Sequence, residues 1–380
     1  RNVRLDFFRG LSLFIILVSH TGGDVLSDWI PARFGLSDAA NMFVFVSGYA
    51  GGMAFGGVYR RRGWAMGTAR IGLRLWQLYV AQLCIVMAAA ALAVAADGML
   101  GSEDHQALFG LDYLFQNPQD AILRVVTLTY VPHYLDILPV YIMVLAMVPI
   151  AVALARIHPL LVPAASLTLW GLANLFGWNL PTEPGEPRGW YFDPFCWQIL
   201  FFTGFSLSMK WIRPPPANRI LFWAAVAWLG FGVAVTQKAI FTTVPGLDAV
   251  QAWIVANADK TMVDPLQYLH FIASAYVVVV LLKGHEEVLH RPVFRPIVKC
   301  GQQALSVFLS GILLADLGGL AFDVLGDGWV QQIAVNAACF AATIAIAYTV
   351  AWMKSAPWAR PVPHPVPAPA PEREAARVSR

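Results

Sequence analysis

Apolar segments of about 20 residues recur along most of the 380-residue sequence, and each is long enough to cross a bilayer as a helix. A soluble domain usually carries about a quarter charged residues, whereas this chain is 13% charged and 58% hydrophobic. Lipid offers no hydrogen bonds to the backbone, so segments of this length favour helices. We predict an all-α polytopic membrane protein with about ten transmembrane helices around a central cavity, at residues 6–22, 38–57, 71–96, 136–155, 160–178, 194–211, 219–236, 265–283, 302–322 and 329–353.

Basic residues are distributed unevenly over the segments that connect the predicted helices. Most of them, including the run Arg60–Arg62, lie in or beside the N-terminus, the 58–70 connection and every second connection after it. Short loops rich in Lys and Arg stay on the cytoplasmic side of a membrane. The pattern therefore predicts that both termini are cytoplasmic and that the connections 97–135 and 237–264 lie on the opposite side.

Those two connections, 97–135 and 237–264, are longer than a turn requires and contain many apolar residues. Long loops are often functional, and we expect surface or re-entrant helices that roof a site. Beyond the last predicted helix, proline alternates with other residues over 360–371, a pattern typical of a polyproline II or disordered segment. We divide the chain into one transmembrane domain, 1–355, and a proline-rich, disordered cytoplasmic tail, 356–380.

Several common functional motifs are missing from the sequence. It contains no P-loop, no Rossmann glycine signature and no basic and aromatic patch of the nucleic-acid-binding kind. We therefore expect no nucleic-acid partner. The cysteines occur singly in apolar segments without metal-ligand spacing, so we predict buried apolar residues and no metal site at Cys84, Cys196, Cys300 and Cys339.

The first predicted helix carries ionisable residues on one face. Arg9 and His20 are 11 positions apart, which places them about 20° apart around the helix and about 16 Å apart along its axis. Asp6 lies one turn before Arg9 and can form a structural ion pair with it. Ionisable residues in a transmembrane helix usually face a protein interior or a water-filled cavity. We therefore predict that this face forms one wall of an active site.

His20 is the first catalytic candidate, because an imidazole can take a proton from a hydroxyl at neutral pH. Asp24, four residues further on, could orient the ring as a second catalytic residue, and Asp38 could stabilise its positive charge. A single histidine on a helix is often structural, and this interpretation stays open. The combination of His20 with Asp6 and Arg9 on one face favours catalysis.

Arg70 and Arg74 lie one turn apart at the start of the third predicted helix, with Gln77 about one turn further on. Two guanidinium groups on one helical face suit a phosphate-bearing ligand that enters from the cytoplasm. Snorkelling of interfacial arginines would explain them equally well. Ser47 begins a glycine-rich stretch that lets a neighbouring helix or a long ligand approach closely, and packing alone would account for the glycines.

Polar and aromatic residues also lie at the outer ends of several predicted helices, where an anionic or sugar acceptor could bind. Trp and Tyr are expected there as interfacial anchors as well, so an architectural role remains the alternative for each residue. The acceptor-binding candidates are Asp38, Asp136, Tyr141, Trp197, Gln198, Lys260 and His270.

Several motifs resemble the acyltransferase-3 membrane superfamily. The first is the arginine and histidine separated by ten residues on the first helix, and the second is MFVFVSGY at 42–49. A closer resemblance is to the osmoregulated periplasmic glucan succinyltransferase (OpgC) family. It rests on RLDFFRG at 4–10, GLSDAA at 35–40, DILPVY at 136–141, DPFCWQ at 193–198 and LH at 269–270.

The resemblance implies that a succinyl group moves from cytoplasmic succinyl-CoA to a hydroxyl of a periplasmic glucan, across the bacterial inner membrane. It implies that His20 is the catalytic histidine and Arg9 the family arginine. Succinyl-CoA would be a co-substrate, and no cofactor would be bound permanently. The expected partners are the glucan, the acyl-CoA and the lipid bilayer, and a homodimer stays open. The donor-binding candidates are Arg9, Ser47, Arg70, Arg74 and Gln77.

Three positions depart from the family pattern that we expect. Asn41 replaces an acidic residue, Asp193 an asparagine and Gln267 an arginine. The acceptor or acyl group could therefore differ, and an O-acetyltransferase that acts on another periplasmic glycan stays an alternative. A glucan or anion transporter is a second alternative, because many spans with buried charges suit one too. Transporters often contain broken helices or inverted halves, and the sequence shows no such symmetry.

Overall fold

The computed structural model describes residues 2–101, 104–182 and 189–359. Within these ranges the regular structure is helical, without β-strands, so the all-α prediction is confirmed. The helices are α1 Val3–His20, α2 Ala39–Leu100, α3 Asp104–Leu108, α4 Asp112–Gln116, α5 Pro118–Val126, α6 Ile137–Ile157, α7 Leu161–Phe176, α8 Pro194–Ser208, α9 Arg219–Thr236, α10 Lys238–Phe241, α11 Leu247–Asn257, α12 Pro265–Leu282, α13 Arg295–Gln302, α14 Ala304–Leu325 and α15 Trp329–Lys354.

Six of these described helices are long and apolar enough to cross a membrane, namely α2, α6, α9, α12, α14 and α15. α1 has 18 residues but contains Arg4, Asp6 and Arg9, while α7 and α8 have only 16 and 15 residues. Each predicted span overlaps a helix, which is compatible with a multi-pass membrane protein. The number of ten spans and their sidedness stay predictions.

α2 contains both the second and the third predicted spans, because it continues as helix through the predicted connection 58–70. Its helical conformation breaks at Gly63, which has a φ of 80° and a ψ of 178°. Glycine adopts this left-handed φ without steric cost. Gly51 and Arg74, at similar distances before and after Gly63, line the same cavity. The two halves of α2 therefore run antiparallel, and one residue replaces the expected loop.

Glycines bring α1 and α2 into backbone contact with their neighbours. A Cβ atom on Gly10 would collide with the carbonyl group of Ile297 in α13, and one on Gly48 with that of Phe201 in α8. Packing therefore accounts for Gly48, as the alternative interpretation of the glycine-rich stretch proposed. These contacts hold α1 against α13 and α2 against α8.

The 97–135 connection folds back along the second half of α2. At its start, Asp97 accepts hydrogen bonds from the N–H groups of His105 at 2.9 Å and Gln106 at 3.0 Å. At its end, Nε2 of Gln82 donates to the carbonyl oxygen of Leu135 at 3.0 Å. Gln82 lies about 27 Å along the helix axis from the end of α2. The connection therefore folds back along α2, and its predicted re-entrant arrangement in the membrane stays a prediction.

This fold-back places irregular backbone at 127–136 beside the middle of the second half of α2. At membrane depth, such backbone is tolerated only where it is buried in protein or lines a water-filled cavity. Leu128 and Tyr134 adopt φ values of 57° and 64° there, which residues other than glycine rarely adopt. The candidate site is found beside this segment.

The 237–264 connection forms α10, α11 and a short 3-10 helix, Lys260–Met262. Nε1 of Trp197 donates to the carbonyl oxygen of Thr261 at 3.0 Å, and Nε1 of Trp170 to that of Val263 at 2.9 Å. The connection therefore covers α7 and α8. The described residues of the 97–135 connection contribute His133 and Tyr134 to the lining of the cavity that contains His20. The described residues of the 237–264 connection contribute none.

The predicted tail begins close to where the last helix stops. α15 ends at Lys354, and an irregular turn follows to residue 359. The proline-rich part of the tail, from residue 360, lies outside the described residues, so its predicted disorder stays a prediction.

Candidate active site

Two cavities lie along α1, one near each end. The His20 cavity has a volume of about 340 Å³ and includes His20, Asp38, His133, Tyr134, Asp136 and Tyr191 in its lining. The arginine cavity has a volume of about 210 Å³ and includes Arg9, Phe43, Ser47, Arg74, Tyr141 and Phe308 in its lining. The two ends of the predicted polar face of α1 therefore open into different cavities.

His20, the last residue of α1, is oriented by its own helix. Nδ1 lies 2.7 Å from the carbonyl oxygen of Ile16 and 3.0 Å from Oγ of Ser19. A carbonyl oxygen only accepts, so Nδ1 carries the proton and Nε2 of the neutral ring keeps its lone pair. Nε2 makes no hydrogen bond with the described residues. A hydroxyl group that enters the cavity could therefore donate to Nε2.

Asp24 is not among the described residues that line the His20 cavity, and its catalytic role stays a prediction. Its Oδ1 accepts hydrogen bonds from the N–H of Leu26 at 2.9 Å and from Nδ2 of Asn336 at 3.0 Å. Asp24 thus caps the 3-10 helix that follows α1 and links it to α15. The carbonyl group of Ile16 orients His20.

Two carboxylates lie in the same cavity as His20. Asp38 caps α2, where its Oδ1 accepts hydrogen bonds from the N–H groups of Ala40 at 3.0 Å and Asn41 at 3.2 Å. Asp136 is buried just before α6. Since no Lys or Arg lines this cavity among the described residues, the His20 cavity is acidic. A positive imidazolium ring would be stabilised there.

The arginine cavity has the opposite charge. Arg9 of α1 and Arg74 of α2 both line it, together with Ser47, and the described lining contains no carboxylate. Nη1 of Arg74 donates to Oε1 of Gln77 at 3.2 Å. Tyr141, which the sequence assigned to the acceptor, also lines this cavity rather than the His20 cavity. The arrangement suits an anionic ligand such as a phosphate.

Arg70 and Asp6, unlike Arg74, do not line the arginine cavity. Arg70, one turn earlier on α2, is exposed and lines neither cavity. The structure therefore brings together Arg9 and Arg74 rather than Arg70 and Arg74. Asp6 is buried in α1, and its ion pair with Arg9 stays a prediction.

Four further acceptor candidates lie outside both cavities. Gln198 accepts from Oγ of Ser166 at 2.6 Å and donates to the same residue's carbonyl oxygen at 2.8 Å, which joins α8 to α7. Trp197 is 1% exposed and binds the 237–264 connection through Thr261. Their hydrogen bonds are already used within the protein, so both have an architectural role and the acceptor prediction for them is not supported.

The other two candidates, His270 and Lys260, are also away from the cavity. Nδ1 of His270 forms a 2.8 Å hydrogen bond with Oγ of Ser37, and its ring fills the space beside Gly35 and Gly232. Lys260 is exposed at the start of its 3-10 helix. His270 is a packed core histidine, because a Cβ on either glycine would collide with its ring.

Phe308 of α14 lies between the two cavities. It lines the arginine cavity and also a void of about 10 Å³ whose lining includes His20. Its ring stacks on that of Phe43, with centroids 6.0 Å apart and planes inclined by 23°. A void of this size barely admits one water molecule. A long ligand that runs from Arg9 to His20 through this void would have to displace Phe308.

The sequence interpretation did not single out four residues that line the His20 cavity, His133, Tyr134, Tyr191 and Phe192. The ring of Tyr134 packs edge to face on His20, with centroids 4.9 Å apart. The sequence does contain a signal for these residues. His133 and Tyr134 lie shortly before Asp136, at the start of α6, and Tyr191 and Phe192 lie directly before Asp193, at the start of α8. Their approach to His20 depends on the fold-back of their connections, which local patterns do not reveal.

The three departures from the expected family pattern lie outside both cavities. Nε2 of Gln267 donates to Oδ1 of Asn41 at 3.2 Å, and the two residues are 1% and 0% exposed. A neutral amide pair thus occupies the place where an acidic residue and an arginine would form an ion pair. Burial raises the pKa of Asp193, the N-cap of α8, to about 6. The departures affect helix contacts rather than the cavity lining.

Comparison with known proteins gives one match. The family described as OpgC protein matches residues 1–355, nearly the whole chain. The protein therefore belongs to the OpgC family, as the motifs of the first and second helices indicate. No curated protein and no solved structure matches it. The wider resemblance to the acyltransferase-3 superfamily stays a prediction.

Proposed function

We propose that this OpgC-family protein is a transmembrane O-acyltransferase that moves a succinyl group from cytoplasmic succinyl-CoA to a hydroxyl of an osmoregulated periplasmic glucan. Membership in the OpgC family supports an acyltransferase-type enzyme that modifies glucans. The observation that carries the proposal is the pair of cavities along α1, one lined by two arginines and one lined by a histidine and two carboxylates.

We place the phosphates of the acyl-CoA donor in the arginine cavity. Arg9 and Arg74 would bind phosphates of CoA, since guanidinium groups match phosphate geometry. His20 is about 16 Å further along α1, and an extended pantetheine arm is on the order of half the thickness of a ~30 Å hydrocarbon core. One CoA molecule could therefore place its phosphates at Arg9 and its thioester at His20 once Phe308 moves aside.

The acceptor hydroxyl belongs in the His20 cavity. Nε2 of His20 takes the hydroxyl proton while the oxygen attacks the thioester carbonyl carbon. The tetrahedral intermediate collapses, the C–S bond breaks and the proton on Nε2 passes to the leaving sulfur. The products are the sugar ester and free CoA. Asp38 and Asp136 stabilise the imidazolium that exists between the two proton transfers.

Direct transfer is preferred here to a covalent acyl-enzyme. Ser19 is the hydroxyl nearest to the His20 ring, but its Oγ lies at Nδ1 and donates to the carbonyl oxygen of Ile16. Nδ1 already carries a proton, so it cannot activate Ser19 as a nucleophile. The acceptor hydroxyl at Nε2 is the group that the ring can deprotonate.

The experiment that tests this proposal incubates the purified protein in liposomes with radiolabelled succinyl-CoA or acetyl-CoA and a neutral glucose oligosaccharide. We expect the label to appear on the oligosaccharide from succinyl-CoA. Label from acetyl-CoA alone would favour the O-acetyltransferase alternative. No transfer from either donor would contradict the acyltransferase proposal.

One observation favours the transporter as a second candidate. Two separate cavities along α1 would also suit alternating access to a glucan or an anion. The same liposomes distinguish the two functions, because a transporter would move unmodified oligosaccharide across the bilayer without any CoA. Flux without acyl transfer would replace the proposed function.

The sidedness of the proposal rests on the basic connections and can be tested separately. Cys84 is exposed, so the prediction that all four cysteines are buried is wrong for this residue, whereas the other three cysteines are buried. Cys84→Ser removes the exposed native thiol. In that background, a membrane-impermeant maleimide should label Arg61→Cys from the cytoplasm and Asp112→Cys from the periplasm, because both positions are exposed. Labelling of position 61 from the periplasm would invert the orientation.

A further inference from the structure

The turn that carries Tyr134 into the His20 cavity has a strained backbone. Tyr134 has a φ of 64°, in the left-handed region that bulky residues rarely adopt. Strain of this kind persists only where the surrounding structure imposes it, and it is concentrated at functional sites. Tyr134 is therefore a candidate functional residue.

Three hydrogen bonds impose the conformation of this turn. The N–H of His133 donates to the carbonyl oxygen of Phe109 at 2.8 Å, and the N–H of Leu135 to that of Pro132 at 3.2 Å. Nε2 of Gln82 donates to the carbonyl oxygen of Leu135 at 3.0 Å. These hydrogen bonds connect the turn to the preceding loop and to α2, and one of them closes the turn between Leu135 and Pro132.

The strained turn holds an aromatic ring beside the catalytic candidate. The ring of Tyr134 lies 4.9 Å from that of His20 at an interplanar angle of 76°, and 6.2 Å from that of Phe109. Tyr134 nevertheless stays 40% exposed, because it borders the His20 cavity. The apolar C–H face of a sugar ring can pack on such an aromatic surface.

The polar groups of the cavity fit the edge of a sugar ring. Asp38 and Asp136 supply carboxylate oxygens that accept hydrogen bonds from hydroxyls. His133 can donate or accept, and the hydroxyl of Ser19, which donates to the carbonyl oxygen of Ile16, can accept. The lining therefore suits the hydroxyl groups of an uncharged polyol.

We infer that the His20 cavity binds one uncharged sugar residue, which stacks on Tyr134 with a hydroxyl directed at Nε2 of His20. This inference rests on the proposed function and adds its acceptor specificity. Tyr134 packs on the ring, and Asp38 and Asp136 accept hydrogen bonds from its hydroxyls.

Calorimetric titration of a neutral glucose oligosaccharide into the purified protein, without any CoA, tests the role of Tyr134. Tyr134→Gly and Tyr134→Asn remove the ring but keep residues that tolerate left-handed backbone. We expect the dissociation constant to rise about tenfold in both, a loss of about 1.4 kcal/mol. Tyr134→Phe keeps the ring and should bind like the wild type.

Trp253→Ala is the matched control, because Trp253 is a 59% exposed aromatic residue that lines neither cavity. Its affinity for the oligosaccharide should equal that of the wild type. Wild-type affinity in the Gly or Asn variant would overturn the inference, provided that the variant elutes as a folded protein. Equal losses in Trp253→Ala and Tyr134→Gly would overturn it as well. These titrations need no donor, so a protein that binds the sugar but transfers no acyl group would contradict only the proposed function.

Discussion

The arginine cavity and the His20 cavity differ in how their walls are built. All residues that line the arginine cavity lie on helices, in α1, both halves of α2, α6 and α14. The His20 cavity takes His133, Tyr134, Asp136 and Tyr191 from segments outside the helices. Helix faces are rigid, whereas connecting segments vary more easily between related proteins. The helical wall of the arginine cavity fits a donor that is the same in related proteins. The connecting segments around the His20 cavity fit an acceptor that differs between them.

The largest effect should come from His20. We expect His20→Ala to lower acyl transfer by about two to four orders of magnitude, because the general base is lost. Expression and folding should be retained, since His20 lines a cavity and contributes little packing. Initial rates of transfer from succinyl-CoA measure the effect. His285→Ala, at an exposed histidine outside both cavities, is the control, and near-normal turnover in His20→Ala would contradict the proposed mechanism.

The next effect separates two arginines of the same helix. Arg74→Ala should raise the dissociation constant of CoA roughly tenfold to hundredfold, because a hydrogen bond to a charged group contributes about 1.5–3 kcal/mol. Arg70→Ala is the matched control and should change it little, since Arg70 is exposed and lines neither cavity. Titration of CoA measures both. Equal losses in the two variants would favour the sequence prediction that both arginines bind the donor.

A smaller effect is expected at the boundary between the cavities. Phe308→Leu shortens the side chain between them and should raise acyl-CoA hydrolysis without acceptor by about tenfold, which is about 1.4 kcal/mol on the barrier. Release of free CoA thiol measures the rate. Phe322→Leu, at a buried residue of α14 outside both cavities, controls for loosening of the helix. A similar rise in both variants would mean that Phe308 does not separate the cavities.

The smallest effect on activity is expected at Asp193, outside both cavities. Burial raises its pKa to about 6 from an ordinary value of 3.8, so the folded state holds its proton more tightly than the unfolded state. The resulting stability is complete below about pH 4 and is lost as the pH rises to about 6. Asp193→Asn should therefore raise the melting temperature at pH 7 and leave it unchanged at pH 4.

Activity provides the complementary readout for the same variant. Acyl transfer at pH 7 should stay near that of the wild type, because Asp193 lines neither cavity. A melting temperature of Asp193→Asn that follows the wild-type pH dependence would show that this carboxyl group does not titrate as proposed. A large loss of activity would instead connect the α8 N-terminus to the site.

Much of the helical framework could be predicted from local sequence. Apolar segments located the long helices, and the spacing of Arg9 and His20 placed them at opposite ends of one face, since α-helical geometry is nearly invariant. The reversal between the second and third predicted spans was expected in a loop at 58–70, because that segment is polar, and its position at the single residue Gly63 was not predicted. The helix continues there since a single left-handed glycine is enough to turn the chain.

The identity of the polar residues in the site depended on long-range contacts. Gln198, Trp197 and His270 looked like acceptor ligands, but partners distant in sequence use their hydrogen bonds or enclose their rings. Similarly, Arg70 and Arg74 are equivalent by spacing, and only the antiparallel fold of α2 places Arg74 opposite Arg9.

Local periodicity therefore determined the helices, the catalytic candidate and the distance between the two charged ends of α1. The tertiary structure alone decided that these ends open into separate cavities and that His133, Tyr134 and Tyr191 complete the one around His20. The physical reason is that helix geometry follows from neighbouring residues. The position of an irregular connection follows from hydrogen bonds such as that of Gln82 to Leu135, which join residues far apart in the chain.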